Sequence, residues 1–230
     1  MNKDSNLYTI IYAVVVVVIV AVTLAYSFEK FYPMQARNMA IDKIRHILLS
    51  INILSKHSDA EELFEKYIVD SYLVNSQGEK VQGDAFKTEL VDELKKPEAE
   101  RKYPVFEAMI DGNKKYILSM HGAGLWGPIW GFIALDDDKN TVYCASFDHE
   151  GETPGLGDAI SKSYFGHEFI GKKFFNNESK FVSIAVVKPG KQAHGQDYVD
   201  GISGGTVTSQ AVNDMLKSSI GAYEMFLRKK

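Results

Sequence analysis

The chain has 230 residues, of which 45% are hydrophobic and 24% are charged, a composition typical of a folded globular protein. Its formal net charge of −4 argues against nucleic-acid binding, which usually requires a basic surface. Cys144 is the single cysteine, so the chain cannot form an intramolecular disulfide, a four-cysteine zinc site or an iron–sulfur cluster alone. Redox chemistry would therefore need an organic cofactor.

An uncharged apolar stretch lies near the N-terminus, from Leu7 to Tyr26. A helix of this length spans about 30 Å, the thickness of the hydrocarbon core of a membrane. A cleaved signal peptide is the alternative, but the apolar run is long for one and no small-residue cleavage site follows. The sequence predicts an uncleaved single-span anchor over residues 1–32 and a separate domain over residues 33–230. The flanking charges are nearly balanced and leave the orientation open: Lys3, Asp4, Glu29, Lys30 and Arg37.

Four elements are predicted in the first half of the domain. Pro33 is expected to end the anchor, and apolar residues spaced three and four apart predict an amphipathic helix over about 34–54. The capping pattern Ser58–Glu61 predicts the start of a second, short helix. A strand over 68–74 and a helix over 84–96 follow.

The second half is rich in predicted β-structure. The sequence Asp111-Gly112-Asn113 is typical of a tight turn between two strands. The predicted bounds are 105–110 and 114–120 for this hairpin, 129–135 and 141–147 for a second hairpin, 181–187 for a further strand, and about Thr206 onward for a long helix. The pattern predicts an α+β fold: an antiparallel sheet with flanking helices, which we expect on one side of the sheet.

Three glycine-rich segments stand out as candidate sites: 122–131, 149–157 and 200–209. The third leads directly into the last helix, whose first N–H groups lack internal partners and suit a phosphate. The alternative is a helix cap, in which Ser203, Thr206 or Thr208 satisfies those N–H groups. The segment carries neither a P-loop lysine nor the glycine spacing of a dinucleotide-binding fold.

The other two segments are less specific on their own. His149 and Glu150 lack a second histidine at the spacing of a zinc protease, so a ligand-facing loop is the better interpretation. Trp126 and Trp130 could form an apolar wall beside a flat aromatic ligand or could pack in the core.

Residues 200–206, Asp-Gly-Ile-Ser-Gly-Gly-Thr, resemble the acceptor motif of proteins that carry covalently bound FMN on the final threonine. Together with Gly-x-Gly-Leu-Trp at 122–126 and Glu-Thr-Pro-Gly-Leu-Gly at 152–157, the chain is similar over nearly its whole length to the C subunit of the sodium-translocating NADH:quinone reductase. Gly205 departs from this family, which usually has alanine there. The related flavoprotein of Rnf-type complexes, which act on ferredoxin and NAD, and a membrane-anchored scaffold domain without cofactor remain alternatives.

The resemblance implies an electron-relay subunit of a sodium-pumping complex that oxidises NADH and reduces ubiquinone, and that is not active alone. A flavin transferase would move FMN from FAD onto the hydroxyl of Thr206. Ser203, Gly204, Gly205 and Thr208 would then donate to the phosphate, with Lys188 balancing its charge. The remaining cofactor-binding residues implied are Leu125, Trp126 and Leu156 as an apolar wall, Glu152 and Thr153 at the polar edge or ribityl chain, and Gly157 beside them.

The resemblance also implies partners and a location. The partners would be the other membrane subunits of the complex, besides the transferase, and no nucleic acid. The chain would sit in the bacterial inner membrane through its single span, with the larger domain on the extracytoplasmic side.

Overall fold

The computed structural model describes residues 6–229, so Lys3 and Asp4 lie outside the described residues. The chain divides between Lys43 and Ile44 into two compact units. The helices are α1 Asn6–Ser50, α2 Ala60–Tyr67, α3 Leu90–Leu94, α4 Ser163–His167, α5 Thr206–Met215 and α6 Glu224–Arg228, with a π-helical turn Leu216–Ile220 between the last two. The strands are β1 Ile68–Asn75, β2 Lys80–Val81, β3 Lys102–Ile110, β4 Asn113–Ala123, β5 Pro128–Leu135, β6 Val142–His149, β7 Ala185–Val187 and β8 Tyr198–Asp200.

Helix α1 is a continuous helix of 45 residues. Among residues 6–229 it is the one helix that is long and apolar enough to cross a membrane. The predicted break at Pro33 is wrong, because this proline lies inside the helix. Proline removes one helical N–H bond, and the carbonyl of Glu29 that would have accepted it belongs to an exposed residue. The predicted amphipathic helix over 34–54 is the second half of α1 and ends at Ser50.

The main sheet is antiparallel throughout, with strand order β2-β1-β3-β4-β5-β6. Both predicted hairpins are confirmed. In the first, Ile110 pairs with Asn113 and the two intervening residues, Asp111 and Gly112, have φ of 49° and 77°. Positive φ at both positions is the mark of the two-residue turn that matches the twist of paired strands.

Two predicted elements are shorter than expected. The helix over 84–96 is reduced to α3; at its predicted start the carboxylate of Asp84 accepts bonds from the amides of Phe86 (3.0 Å) and Lys87 (3.2 Å), and residues 85–87 form a single turn. The strand over 181–187 is reduced to β7. The unpredicted β8 pairs with it in parallel and is three residues long, too short to show a sequence pattern.

Helices cover both faces of the sheet, so the prediction that they lie on one side is wrong. On one face Tyr223, between the π-helical turn and α6, packs on Tyr103 with ring centroids 5.3 Å apart. On the other face Phe64 of α2 packs against Phe106, with centroids 6.3 Å apart. Strand β3 is buried without interruption from Tyr103 to Ala108, the pattern of a strand covered on both sides.

Candidate functional site

The three glycine-rich segments meet at the carboxylate of Glu152. Its Oε1 accepts hydrogen bonds from the amides of Leu125 (2.6 Å) and Trp126 (3.3 Å), in the loop between β4 and β5. Its Oε2 accepts a hydrogen bond from the hydroxyl of Thr208 (2.6 Å), in the first turn of α5. Glu152 itself lies in the loop after β6 and is 4% exposed. One buried side chain therefore joins segments that are far apart in the sequence.

Two glycines make room for this junction. A Cβ at Gly157 would overlap the Thr208 hydroxyl and Oε2 of Glu152, and a Cβ at Gly124 would overlap Oε1. Any side chain at either position would have to displace the carboxylate or its partners. The glycines of the first two segments thus allow close packing around Glu152.

The Glu152 carboxylate is held in its ionised form. Burial by itself raises the pKa of a carboxyl group, but the hydrogen bonds from Thr208, Leu125 and Trp126 outweigh burial and hold the pKa of Glu152 below its ordinary value. Three donors therefore compensate the charge that the fold buries here.

His149 and Asp158 support the loop that carries Glu152. The Nδ1 atom of His149 accepts a hydrogen bond from the Glu152 amide (3.1 Å), and its Nε2 lies 3.2 Å from the Asp158 carboxylate. Because Nδ1 accepts, the ring proton is on Nε2 and is donated to Asp158. Ion pairing with Lys162 (3.1 Å) and the His149 hydrogen bond lower the pKa of Asp158. The sequence pointed to His149 but carried no signal for Asp158 as its partner.

The start of α5 is open. Gly205, which has no side chain, is at the N-cap position, and the first helical bond runs from the amide of Ser209 to the carbonyl of Gly205 (2.8 Å). The amides of residues 206–208 precede that bond and lack helical partners. The hydroxyl of Thr208, one of the predicted caps, donates to Glu152 instead. Thr206 is the first residue of the helix and is exposed.

The loop before α5 is shaped by local contacts. Gly204 has φ of +78°, and a Cβ there would overlap Cδ2 of Leu156. The Ser209 hydroxyl accepts from the Ile202 amide (2.8 Å) and donates to the Gly205 carbonyl (2.8 Å). Leu156 therefore lies directly against the loop that precedes Thr206.

Four large apolar side chains of these segments are exposed: Leu125 (50%), Trp126 (68%), Leu156 (43%) and Val207 (54%). Trp130, in contrast, is partly buried within β5, where it pairs with Asp148. Exposed apolar groups concentrated in loops that meet at one point are typical of a binding surface. The structure thus separates the two tryptophans and leaves Trp126 available to a ligand.

Lys188 reaches the same region through the backbone. Strands β7 and β8 are parallel, Val187 pairs with Asp200, and the Gly201 amide donates to the Val187 carbonyl (2.7 Å). Lys188 and Gly201 therefore follow the two strands at the same end of the small sheet. Lys188 is exposed. The roles predicted for the twelve cofactor-binding residues stay predictions.

Comparison with known proteins gives concordant matches. A family model described as an FMN-binding domain matches residues 124–221. The C subunit of the Na(+)-translocating NADH-quinone reductase from Vibrio vulnificus (strain YJ016) is 33% identical over 195 residues, which cover 77% of this chain and 76% of that protein. The same subunit from Haemophilus ducreyi is 29% identical over 237 residues, covering 96% and 91%.

A solved structure matches as well. The crystal structure of this subunit from Parabacteroides distasonis is 53% identical in sequence and superposes with a TM-score of 0.82. The match covers 86% of this chain and 96% of that one.

Proposed function

Because the chain belongs to the family of the C subunit of the Na(+)-translocating NADH-quinone reductase, we propose that it is an electron-relay subunit of such a complex, with FMN as its cofactor. The FMN-binding family model spans residues 124–221, a range that contains the Glu152 junction and the start of α5. When bound, FMN supplies one- and two-electron redox chemistry, and the protein supplies its position and surroundings. The chain works as one subunit among several and is not active alone.

FMN is attached to Thr206 through a phosphoester. The observation that carries this proposal is the exposed threonine at a helix start whose N-cap is a glycine. Unpartnered amides and the helix dipole favour a phosphate at this end of α5. In the attachment step, Oγ of Thr206 bonds to the phosphorus of the FMN half of FAD. The pyrophosphate bond breaks, AMP leaves, and the hydroxyl proton passes to solvent; a flavin transferase provides the catalysis.

The residues around Thr206 fit a flavin phosphate and ring. The loop residues Ser203, Gly204 and Gly205 come immediately before the acceptor, and their amides are the nearest donors along the chain. Lys188, at the same end of the small sheet, can balance the phosphate charge. The ring is walled by the exposed apolar side chains Leu125, Trp126 and Leu156. Thr153, also exposed, is close enough in sequence to Leu156 to reach a polar edge.

The chain is anchored in the bacterial inner membrane by the apolar part of α1. The length and apolar composition of that helix support the span. We place the anchor at residues 1–32 and the FMN-binding domain at 33–230, on the extracytoplasmic side, where covalent attachment prevents loss of a cofactor that could not readily be replaced. The other membrane subunits of the complex are its partners.

The scaffold alternative depended on Ser203 and Thr206 acting as simple helix caps. With glycine at the N-cap and no side-chain cap bond at the start of α5, this alternative loses its main support. The Rnf-type alternative gains no specific support from the structure.

The test is co-expression of the full chain with a flavin transferase. After denaturing electrophoresis, flavin fluorescence should stay with the protein band, and intact mass should rise by FMN less one water. Thr206→Ala should abolish both signals. Fluorescence that survives in Thr206→Ala but disappears in Thr208→Ala would show that the acceptor is wrongly assigned, and a colourless wild-type chain would refute the cofactor.

A further inference from the structure

We propose that Glu152 is a positioning residue, which sets the spacing between the Trp126 loop and the start of α5, and that its carboxylate does not bind FMN directly. The inference rests on the proposed function, because this spacing matters only when a flavin is attached to Thr206. It assigns to Glu152 a different role from contact with the polar edge of the cofactor.

Most of the hydrogen-bonding capacity of the carboxylate is used within the protein. It accepts two amides on Oε1 and one hydroxyl on Oε2, three of its roughly four acceptor positions. The residue is 4% exposed, whereas Leu125 and Trp126, whose amides it binds, are 50% and 68% exposed. Glu152 therefore faces inward, and the side chains of the loop that it holds face outward.

The two segments that Glu152 joins each carry a proposed contact with the cofactor: Trp126 in one and the acceptor Thr206 in the other. Its Oε1 fixes the backbone of the loop that supplies the Trp126 ring. Its Oε2 fixes Thr208, which is buried two residues after the exposed Thr206. Residues two apart on a helix point to opposite sides, so an inward bond at 208 leaves 206 outward. The two oxygens of one carboxylate thus set the spacing between the loop that carries Trp126 and the turn that carries Thr206.

The surroundings keep this side chain in place. His149 binds the Glu152 amide, Asp158 fixes the tautomer of His149, and Gly124 and Gly157 leave no space for other side chains at the carboxylate. Interactions behind a binding residue that fix its geometry commonly control its function. A purely stabilising role would be satisfied without a defined distance between the Trp126 loop and α5.

The test compares full-length, flavin-loaded variants by the circular dichroism of the flavin absorption band and by the flavin fluorescence lifetime. Thr208→Val removes one bond of the junction with little change in volume, and Thr208→Ser retains it. Ser218→Ala removes an exposed hydroxyl from the π-helical turn and is the matched control. Trp126→Ala gives the reference value of the flavin fluorescence lifetime when the tryptophan ring is absent.

We expect Thr208→Val and Glu152→Ala to change the dichroism band and to shift the lifetime toward that of Trp126→Ala. Thr208→Ser and Ser218→Ala should match the wild type, and Glu152→Gln should recover most of the wild-type signal, since an amide can still bridge both segments. In the unloaded chain, amide hydrogen exchange at Leu125 should accelerate in Glu152→Ala but not in Thr208→Val.

Loaded Thr208→Val and Glu152→Ala proteins with wild-type dichroism and lifetime, but lower thermal stability, would overturn the inference and leave the proposed function intact. If Glu152→Ala does not fold, Thr208→Val alone decides. A wild-type chain that takes up no FMN would instead refute the proposed function, and this inference with it.

Discussion

Substituting Gly157 by alanine tests the packing around Glu152 most directly. The added Cβ would overlap both the Thr208 hydroxyl and Oε2 of Glu152, so at least one of them must move and their 2.6 Å hydrogen bond must lengthen or break. Overpacking of this kind costs about 1–3 kcal/mol. A lost hydrogen bond to a charged group costs about 1.5–3 kcal/mol.

The two costs describe the same junction and are not additive, so we expect Gly157→Ala to lower the free energy of unfolding by about 2–4 kcal/mol. For a domain of this size that corresponds to a fall in Tm of roughly 5–12 °C. The assay is thermal unfolding of the full chain in detergent, followed by far-UV circular dichroism. The proposed flavin attachment at Thr206 should also fall, because the first turn of α5 is displaced.

Two further variants serve as controls for Gly157→Ala. Gly155, in the same loop, has φ of +75° and open space around its Cβ position, so Gly155→Ala should cost about 1–2 kcal/mol through the backbone alone. A Thr208→Ala background removes the overlap with the hydroxyl and leaves Oε2 of Glu152 without that bond, so the additional cost of Gly157→Ala should shrink. An equal cost in both backgrounds would refute the packing argument.

Three other predictions concern the core and the pH dependence. Tyr223→Phe should destabilise the fold by about 1–2 kcal/mol in urea unfolding, because it removes the bond from the buried hydroxyl to the Pro104 carbonyl (2.9 Å). Phe106→Ala, which leaves a cavity on the α2 face of the sheet, should lower the free energy of unfolding by about 3–5 kcal/mol in the same assay. Val69→Ala, at a position 55% exposed, should lower it by less than about 0.5 kcal/mol. Because the folded-state pKa of Glu152 is depressed, its contribution to stability is complete above its ordinary value of 4.5 and is lost as pH falls through the lower folded-state pKa. Glu152→Gln should flatten that part of a plot of Tm against pH.

The features that the sequence predicts well are those set by neighbouring residues. Asp111 and Gly112 can both adopt positive φ, and a two-residue turn between two apolar segments sets which residues pair, so the first hairpin follows from local chemistry. Thr206 as the start of a helix follows from the small residues before it and the apolar stripe after it.

The incorrect predictions concern features that are set by contacts with distant parts of the chain. Pro33 stays within a helix although its local preference is to end one, and the short β8 exists because β7 is beside it to pair with. Unbroken burial of β3 shows that a second layer of helices covers the sheet, which no single segment specifies.

The site was predicted at the level of segments and not of contacts. The sequence indicated that residues 122–131, 149–157 and 200–209 carry the function, because glycine in such density is unusual outside a site. It did not indicate that Glu152 joins the segments, or that Asp158 is hydrogen-bonded to His149. These pairs are nine to fifty-six residues apart, so they become visible only once the sheet has brought the loops together.

The exposed position of Thr206 has a consequence for the order of biosynthetic events. Its hydroxyl sits on the surface of a helix that is already formed, next to amides that no side chain occupies at the N-cap. For the proposed attachment, a modifying enzyme can thus work on the finished fold and need not capture a nascent chain. Folding and flavin loading can then proceed as successive steps, and a pool of folded but still colourless protein can await the enzyme.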